Sequence, residues 1–321
     1  MWSALFPGQG SQHVGMGRFL FDNFSSAKHL FEEASDTLKL DFKKLCFDGP
    51  ESDLTLTENT QPALLLVSVA TYKVLTETTP LKFAFGAGHS LGEYSALVAA
   101  GTLNFGGALK AVRARGQAMQ QAVPVGQGGM LAVLGLSDDE VIRVCQWAES
   151  ESGLKPLEPA NFNAPGQVVV SGSQALCTWL QTNFDPSRLF AEKKRAKLIP
   201  LNVSAPFHCS LMKPAQDKME PVLNDLRFAT PQFPVVQNVT AAEEKQPERL
   251  KKNLIAQISA PVKWVQSVTR MKALGVRTAV EVGPSKVLSG LVKKIDSELR
   301  TFNIQSLDEL KALEQEANHA S

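Results

Sequence analysis

Nine residues restrict this chain more than any others: Phe85-Gly86-Ala87-Gly88-His89-Ser90-Leu91-Gly92-Glu93. Within them, Gly88-x-Ser90-x-Gly92 has the spacing of a nucleophile elbow. An apolar run (Leu81, Phe83, Ala84, Phe85) precedes it, a helix-prone run over residues 94–100 follows, and Gly101 supplies a stop. Strand, tight turn and helix in that order lift such a match above chance. The glycines matter because the turn needs a strained backbone and a close approach that a Cβ would block. The Ser90 hydroxyl would then stand above a sheet, with the positive end of the next helix beneath it. The plainer alternative is a glycine-rich turn whose serine only caps the helix. The strand and helix on either side favour the nucleophile.

Around this elbow the pattern is α/β. Residues 2–6 read as a short buried strand, and Pro7-Gly8-Gln9-Gly10-Ser11-Gln12 as a loop able to turn N–H groups toward a ligand. Residues 25–45 have helical spacing, residues 48–61 read as loop, and Pro62 opens an apolar helix reaching residue 75. Residues 104–122 form another helix. At about 100° per residue, Ala108, Val112, Arg115 and Met119 share a face, while Arg113 points away. A guanidinium on that apolar stripe needs an anionic partner or an escape to water, and the pattern alone leaves both open.

After Pro124-Val125-Gly126-Gln127-Gly128-Gly129 the texture changes. A strand over 130–136 leads into Ser137-Asp138-Asp139-Glu140, a capping box. Strands over 157–163 and 167–172, a helix from Ser173 and a strand over 196–203 complete the order βαββαβ, that of a ferredoxin-like module. The expected division is an α/β core over 1–125 and 199–321, with residues 126–198 inserted as a small subdomain. Beyond it come a strand over 234–239, helices over 250–258 and 261–274, a strand over 278–282 and a helix over 286–295. A polar helix over 307–317 closes the chain.

Five histidines limit the choice of a base. His319 lies in the tail, His29 in a polar helix, and His89 should point away across the elbow. His208, on a loop directly after a strand, and His13 remain. The four cysteines (Cys46, Cys145, Cys177, Cys209) are scattered, which fits a reducing compartment, and Cys209 reads as packing despite its neighbour His208. A net charge of +1 gives no overall attraction to nucleic acid or an anionic membrane, and no run of apolar residues is long enough to span one. A cytoplasmic monomer is expected.

Six ordered motifs carry a resemblance: Phe6-Pro7-Gly8-Gln9-Gly10-Ser11-Gln12, Gly88-His89-Ser90-Leu91-Gly92-Glu93, Arg115-Gly116-Gln117-Ala118-Met119, Asn161-Phe162-Asn163-Ala164-Pro165, His208-Cys209-Ser210-Leu211-Met212 and Glu281-Val282-Gly283-Pro284. The chain resembles the malonyl-CoA:acyl-carrier-protein transacylases and, more broadly, polyketide synthase acyltransferase domains. The resemblance runs to about residue 300. It implies a hydrolase-like α/β large domain with an inserted ferredoxin-like subdomain. It implies Ser90 as nucleophile, His208 as general base, and the backbone N–H groups of Gln9 and Leu91 as oxyanion hole. Arg115 would bind the malonyl carboxylate, Met119 and Phe207 would contact the acyl group, and Gln257 would support His208 in place of a triad acid. It implies malonyl-CoA and acyl carrier protein as partners, a coenzyme A thioester as substrate, and neither metal nor bound cofactor.

One departure stands out. Bacterial fatty-acid enzymes of this kind commonly carry serine before the histidine, and here it is Phe207. In polyketide acyltransferases phenylalanine there goes with malonyl, so the acyl group is supported while the pathway stays open. For an acidic carrier, Lys193-Lys194-Arg195 with Lys197 is the densest basic candidate, and Lys286, Lys293 and Lys294 could face it. Neutral-acyl hydrolysis is disfavoured by Arg115, and a silent carrier-binding scaffold by the intact Ser90, His208 and Arg115.

Overall fold

The computed structural model describes residues 1–190 and 195–319, in two sheets. The strands are β1 (Trp2–Phe6), β2 (Phe83–Gly88), β3 (Gly128–Leu134), β4 (Leu157–Ala164), β5 (Gln167–Ser173), β6 (Lys197–Pro200), β7 (Val235–Val236), β8 (Glu243–Glu244), β9 (Thr278–Glu281) and β10 (Arg300–Asn303). The larger sheet has the order β10-β9-β1-β2-β7-β8. Its pairs are parallel except for the edge strand β8. Helices cover both faces, so its strands are apolar on both sides, as parallel strands must be.

The smaller sheet has the order β4-β5-β3-β6 and is wholly antiparallel. Numbered within that unit, the order is 4-1-3-2, the ferredoxin-like arrangement expected from βαββαβ. Side chains alternate across each strand. Leu131, Val133, Val168, Val170 and Phe162 face the helices Asp138–Ser152 and Gln174–Asn183 in a separate apolar core. Their neighbours Met130 and Val169 join the main core instead. The edge strand β4 touches the larger unit through Phe162 N–H to Val262 O at 2.9 Å and Val262 N–H to Ala160 O at 2.8 Å.

Several elements differ from the sequence reading. The helix expected over 25–45 is two, Ser25–Leu38 and Phe42–Phe47, because Lys39 turns left-handed (φ 51°) and the Asp41 carboxylate caps a new start at Lys44 N–H. Residues 48–61 are not loop: helices occupy Glu51–Thr55 and Thr57–Thr78. Pro62 therefore lies in the second turn rather than the first. Its missing N–H leaves only the Glu58 carbonyl without its helical donor. The turns before it are held by Asn59 Nδ2 to Asp53 O at 2.8 Å and by Thr60 Oγ1 to Leu54 O. The strand expected over 234–239 shrinks to two residues: Gln237 N–H still reaches Ala242 O at 3.1 Å, but Asn238 N–H goes to the Glu93 carboxylate instead of a ladder. The strand expected over 196–203 ends at Pro200: Leu201 N–H still donates to Met130 O at 3.0 Å, but Val203 N–H then turns back to Leu201 O at 3.0 Å.

Candidate active site

β2 runs into the turn at Ser90, whose φ is 52°. A non-glycine residue there costs roughly 1–3 kcal/mol unless its surroundings fix it. They do. Asn238 Oδ1 accepts from Ser90 N–H at 2.7 Å, Asn238 Nδ2 donates to Gly88 O at 2.6 Å, and Gln257 Nε2 donates to Ser90 O at 2.9 Å. The two elbow glycines are required by contact. A Cβ on Gly88 would lie 1.9 Å from the Gly92 carbonyl carbon, and one on Gly92 would lie 2.0 Å from Phe6 O.

His208 reaches the elbow from the loop between β6 and the helix Lys213–Asn224. Its Nε2 is 2.7 Å from Ser90 Oγ. Its Nδ1 faces Gln257 O at 2.9 Å and Ala260 O at 3.2 Å. Carbonyls only accept, so Nδ1 carries the proton and Nε2 is bare. Main-chain oxygens thus stand where a triad places its acid. Gln257 meets His208 through its backbone carbonyl and not through its side chain. Burial first, and then the Arg115 charge, push His208 down to about 3.

Arg115 lies on the helix Phe105–Gln121 and is 1% exposed. The helix comes close enough because Gly116 has no Cβ; one there would sit 2.7 Å from Glu58 Cα. The guanidinium donates from Nη1 to Gln61 Oε1 at 3.0 Å, and from Nη2 to Gln257 Oε1 at 3.0 Å and Ser90 Oγ at 3.1 Å. All three acceptors are neutral, and Nε has no partner among the described residues. Burial lowers its pKa from the usual value. A desolvated cation with neutral partners favours an anionic ligand. Because Nη2 donates to Ser90 Oγ, the serine proton is directed at His208 Nε2.

These groups line one cavity of about 360 Å³. Gln9 and Leu91 border it, and no acceptor for their N–H groups occurs among the described residues. Both donors stay free for a ligand oxygen. Met119 and Phe207 line the cavity, whereas Gln257 lies behind Arg115. The opposite wall comes from the smaller sheet through Met130, Val169, Asn161 and Asn163. Val287 and Leu291, on the helix Val287–Ile295, border it as well.

Not every candidate meets there. The His13 ring faces its neighbour's carbonyl at 3.1 Å and does not line the cavity. His89 borders the cavity but bonds Asn163 rather than Ser90, with Nε2 2.7 Å from Asn163 Oδ1 and its ring against Trp264. Cys209 is buried and held by Ser171 and Pro206. Of the basic cluster, Lys193 and Lys194 lie outside the described residues, while Arg195 and Lys197 are exposed. Lys286 pairs with Glu309 at 2.8 Å, and Lys294 donates to Gln167 at 3.0 Å. Sequence reasoning missed Glu93, Asn238 and Gln61. The only signal for Asn238 was a strand ending in amides.

Known proteins resemble this geometry along the whole chain. Residues 4–310 match the acyl transferase domain family. A malonyl CoA-acyl carrier protein transacylase of Bacillus subtilis (strain 168) is 44% identical over 302 residues, 94% of this chain and 92% of its own. A crystal structure of an acyl carrier protein S-malonyltransferase from Vibrio cholerae superimposes with a TM-score of 0.91 at 42% identity, covering 97% of this chain and 99% of that one. A malonyl-transacylase in complex with its type II PKS acyl-carrier protein gives 0.92 at 39% identity, covering 98% and 99%.

Proposed function

The chain belongs to the acyl transferase family, and from that premise we propose that it carries a malonyl group from malonyl-CoA to the phosphopantetheine thiol of an acyl carrier protein. The observation that carries the reading is the meeting of three groups at one atom: Ser90 Oγ lies 2.7 Å from His208 Nε2 and 3.1 Å from Arg115 Nη2.

In the first half-reaction His208 Nε2 takes the Ser90 proton as Oγ attacks the thioester carbonyl. The oxyanion takes donors from Gln9 and Leu91 N–H, each worth about 3–4 kcal/mol in comparable sites. The C–S bond breaks, and His208 gives that proton to the departing sulfur, so coenzyme A leaves as the thiol and the imidazole is neutral again. The malonyl ester on Ser90 splits a hard exchange into two easier steps. In the second half-reaction the carrier thiol gives its proton to His208, attacks the ester, and Ser90 recovers a proton as it leaves.

During both steps Arg115 turns its Nη donors to the free carboxylate of the malonyl group. Phe207 and Met119 confine the acyl chain. Coenzyme A enters as its malonyl thioester and leaves as product, and the cycle needs no bound metal or cofactor.

We also read the stretch expected over 126–198 as one inserted unit in a core of 1–125 and 199–321, supported by the separate apolar core of the smaller sheet, with β6 carrying its end to Pro200. A cytoplasmic monomer serving fatty acid biosynthesis is the accompanying proposal; four free, buried cysteines fit a reducing compartment. A polyketide or polyunsaturated-fatty-acid carrier is the second reading, favoured by Phe207 on the cavity wall.

Intact-mass measurement tests the chemistry. Mixing with malonyl-CoA should add one malonyl mass, and purified holo-carrier should remove it. Ser90→Ala should abolish the adduct; an adduct that persists in this variant would refute the assignment.

A further inference from the structure

Glu93 follows the nucleophile by three residues and lies in the first turn of the helix Gly92–Ala99, 0% exposed. A buried carboxylate is costly unless its oxygens are satisfied. Here three N–H groups satisfy them. Oε1 accepts from Gln237 Nε2 at 3.1 Å, and Oε2 accepts from Asn238 N–H at 2.8 Å and from Gln257 Nε2 at 3.2 Å. No step of the mechanism above uses this residue.

We propose that Glu93 is a positioning residue for substrate selection: its acceptor-only carboxylate fixes the Gln257 amide so that Oε1 faces Arg115 and holds that guanidinium toward the acyl carboxylate. This rests on the reading of Arg115 as the malonyl anchor. The logic is one of donors and acceptors. An amide side chain can present either end. Gln257 Nε2 is drawn to Glu93 Oε2 and to Ser90 O, so Oε1 is the end left for Arg115 Nη2 at 3.0 Å. The same carboxylate pins Asn238 by its backbone N–H, and Asn238 in turn clamps Ser90 and Gly88.

A glutamine at 93 would have nearly the same shape and would remove a buried charge. It would also bring its own NH2 to the site. Gln257 could then reverse, turning Nε2 toward a guanidinium that already has no acceptor for Nε among the described residues. Burial drives Glu93 up to about 7, while the amide donors and the Arg115 charge pull it back. All the groups bonded to its oxygens are N–H donors, so the geometry fits the ionised, acceptor-only form, which a packing role alone does not require.

The test measures kcat and KM for malonyl-CoA and acetyl-CoA in the full-length protein and its variants. Glu93→Gln should raise the malonyl KM and lower the malonyl-to-acetyl ratio of kcat/KM about tenfold, a normal size for coupled neighbours. Glu93→Asp, still acceptor-only, should restore most of the ratio. In an Arg115→Ala background, Glu93→Gln should lower the ratio no further. Equal losses on both donors, or a second fall of the ratio in the Arg115→Ala background, would overturn the proposal. If Glu93→Gln does not fold, Gln257→Met removes the relay itself and should lower the same ratio; an unchanged ratio there overturns the proposal too. If Arg115→Ala alone leaves the ratio unchanged, the anchor reading fails and takes this one with it. If Arg115→Ala lowers the ratio but Glu93→Gln does not, only the Glu93 role is lost.

Discussion

The two sheets meet at one cavity and contribute to it in different ways. The parallel sheet delivers its chemistry at a strand end, where β2 turns into Ser90 and backbone strain is held by side-chain amides. The antiparallel sheet delivers a wall: one face packs on its own helices, and the other turns Met130, Val169, Asn161 and Asn163 to the cavity. The difference follows from backbone geometry. A parallel sheet covered on both faces has only its edges and ends free for function. An antiparallel sheet can keep one face for a ligand. Reactivity and enclosure are therefore separable, and substitutions can separate them.

The largest effect is expected at the floor. Arg115→Ala should cost about 2–3 kcal/mol of malonyl transfer, the scale of a hydrogen-bonded charge, and spare acetyl transfer. Equal loss on both donors would make Arg115 a structural residue and weaken the contrast between floor and wall. Next come two neighbours on β3 with opposite facings. Leu131→Ala, inside the smaller unit's core, should lower unfolding stability by about 2 kcal/mol or more and leave adduct formation nearly unchanged. Met130→Ala, on the cavity face, should do the reverse in kind, altering transfer and the hydrolysis of the malonyl ester through a wider site. Kinetics and thermal melts on the same preparations decide this. If both variants change kinetics alike, the wall is not a separate part.

The last effect touches stability alone and concerns acid. Burial holds His208 at about 3 in the fold against an ordinary 6.5. A depressed folded value adds stability above the unfolded value and loses it as pH falls, here from 6.5 toward about 3. Glu93 has the opposite slope between 4.5 and about 7, since its folded value is raised. That slope is common to wild type and His208→Gln and drops out of their difference. Melts between about pH 7 and about pH 4 should show the wild type losing ground to the variant on acidification, by at most ~1.4 kcal/mol per pH unit. A difference independent of pH would show that water reaches this histidine and relieves its burial.

How much was legible beforehand differs from residue to residue. The elbow was readable because its spacing is local: Gly88 answers to the Gly92 carbonyl within one turn, although Gly92 itself answers to Phe6 O on the neighbouring strand. Arg115 was readable as an oddity, a cation on an apolar stripe, though its acceptors were not. Gln257 was placed near His208 by resemblance, and the structure brings its backbone carbonyl there while its side chain serves Arg115. The helix starting at Thr57 was missed because Pro62 suggested a first turn, and the carbonyls of Asp53 and Leu54 that hold its start were invisible in the pattern.

By itself the sequence determined the α/β alternation, the strand–turn–helix around Ser90 and the βαββαβ order, since each depends on periodicity and turn chemistry within a few residues. Tertiary structure decided the rest. In Val168-Val169-Val170 both faces are apolar, so only packing selects Val169 for the cavity and its neighbours for the helices. The Glu93 network joins groups 145 and 164 residues apart. Amide donors and acceptors have no period along a chain; which end of Gln257 faces Arg115 is fixed only when folding brings a carboxylate that can do nothing but accept.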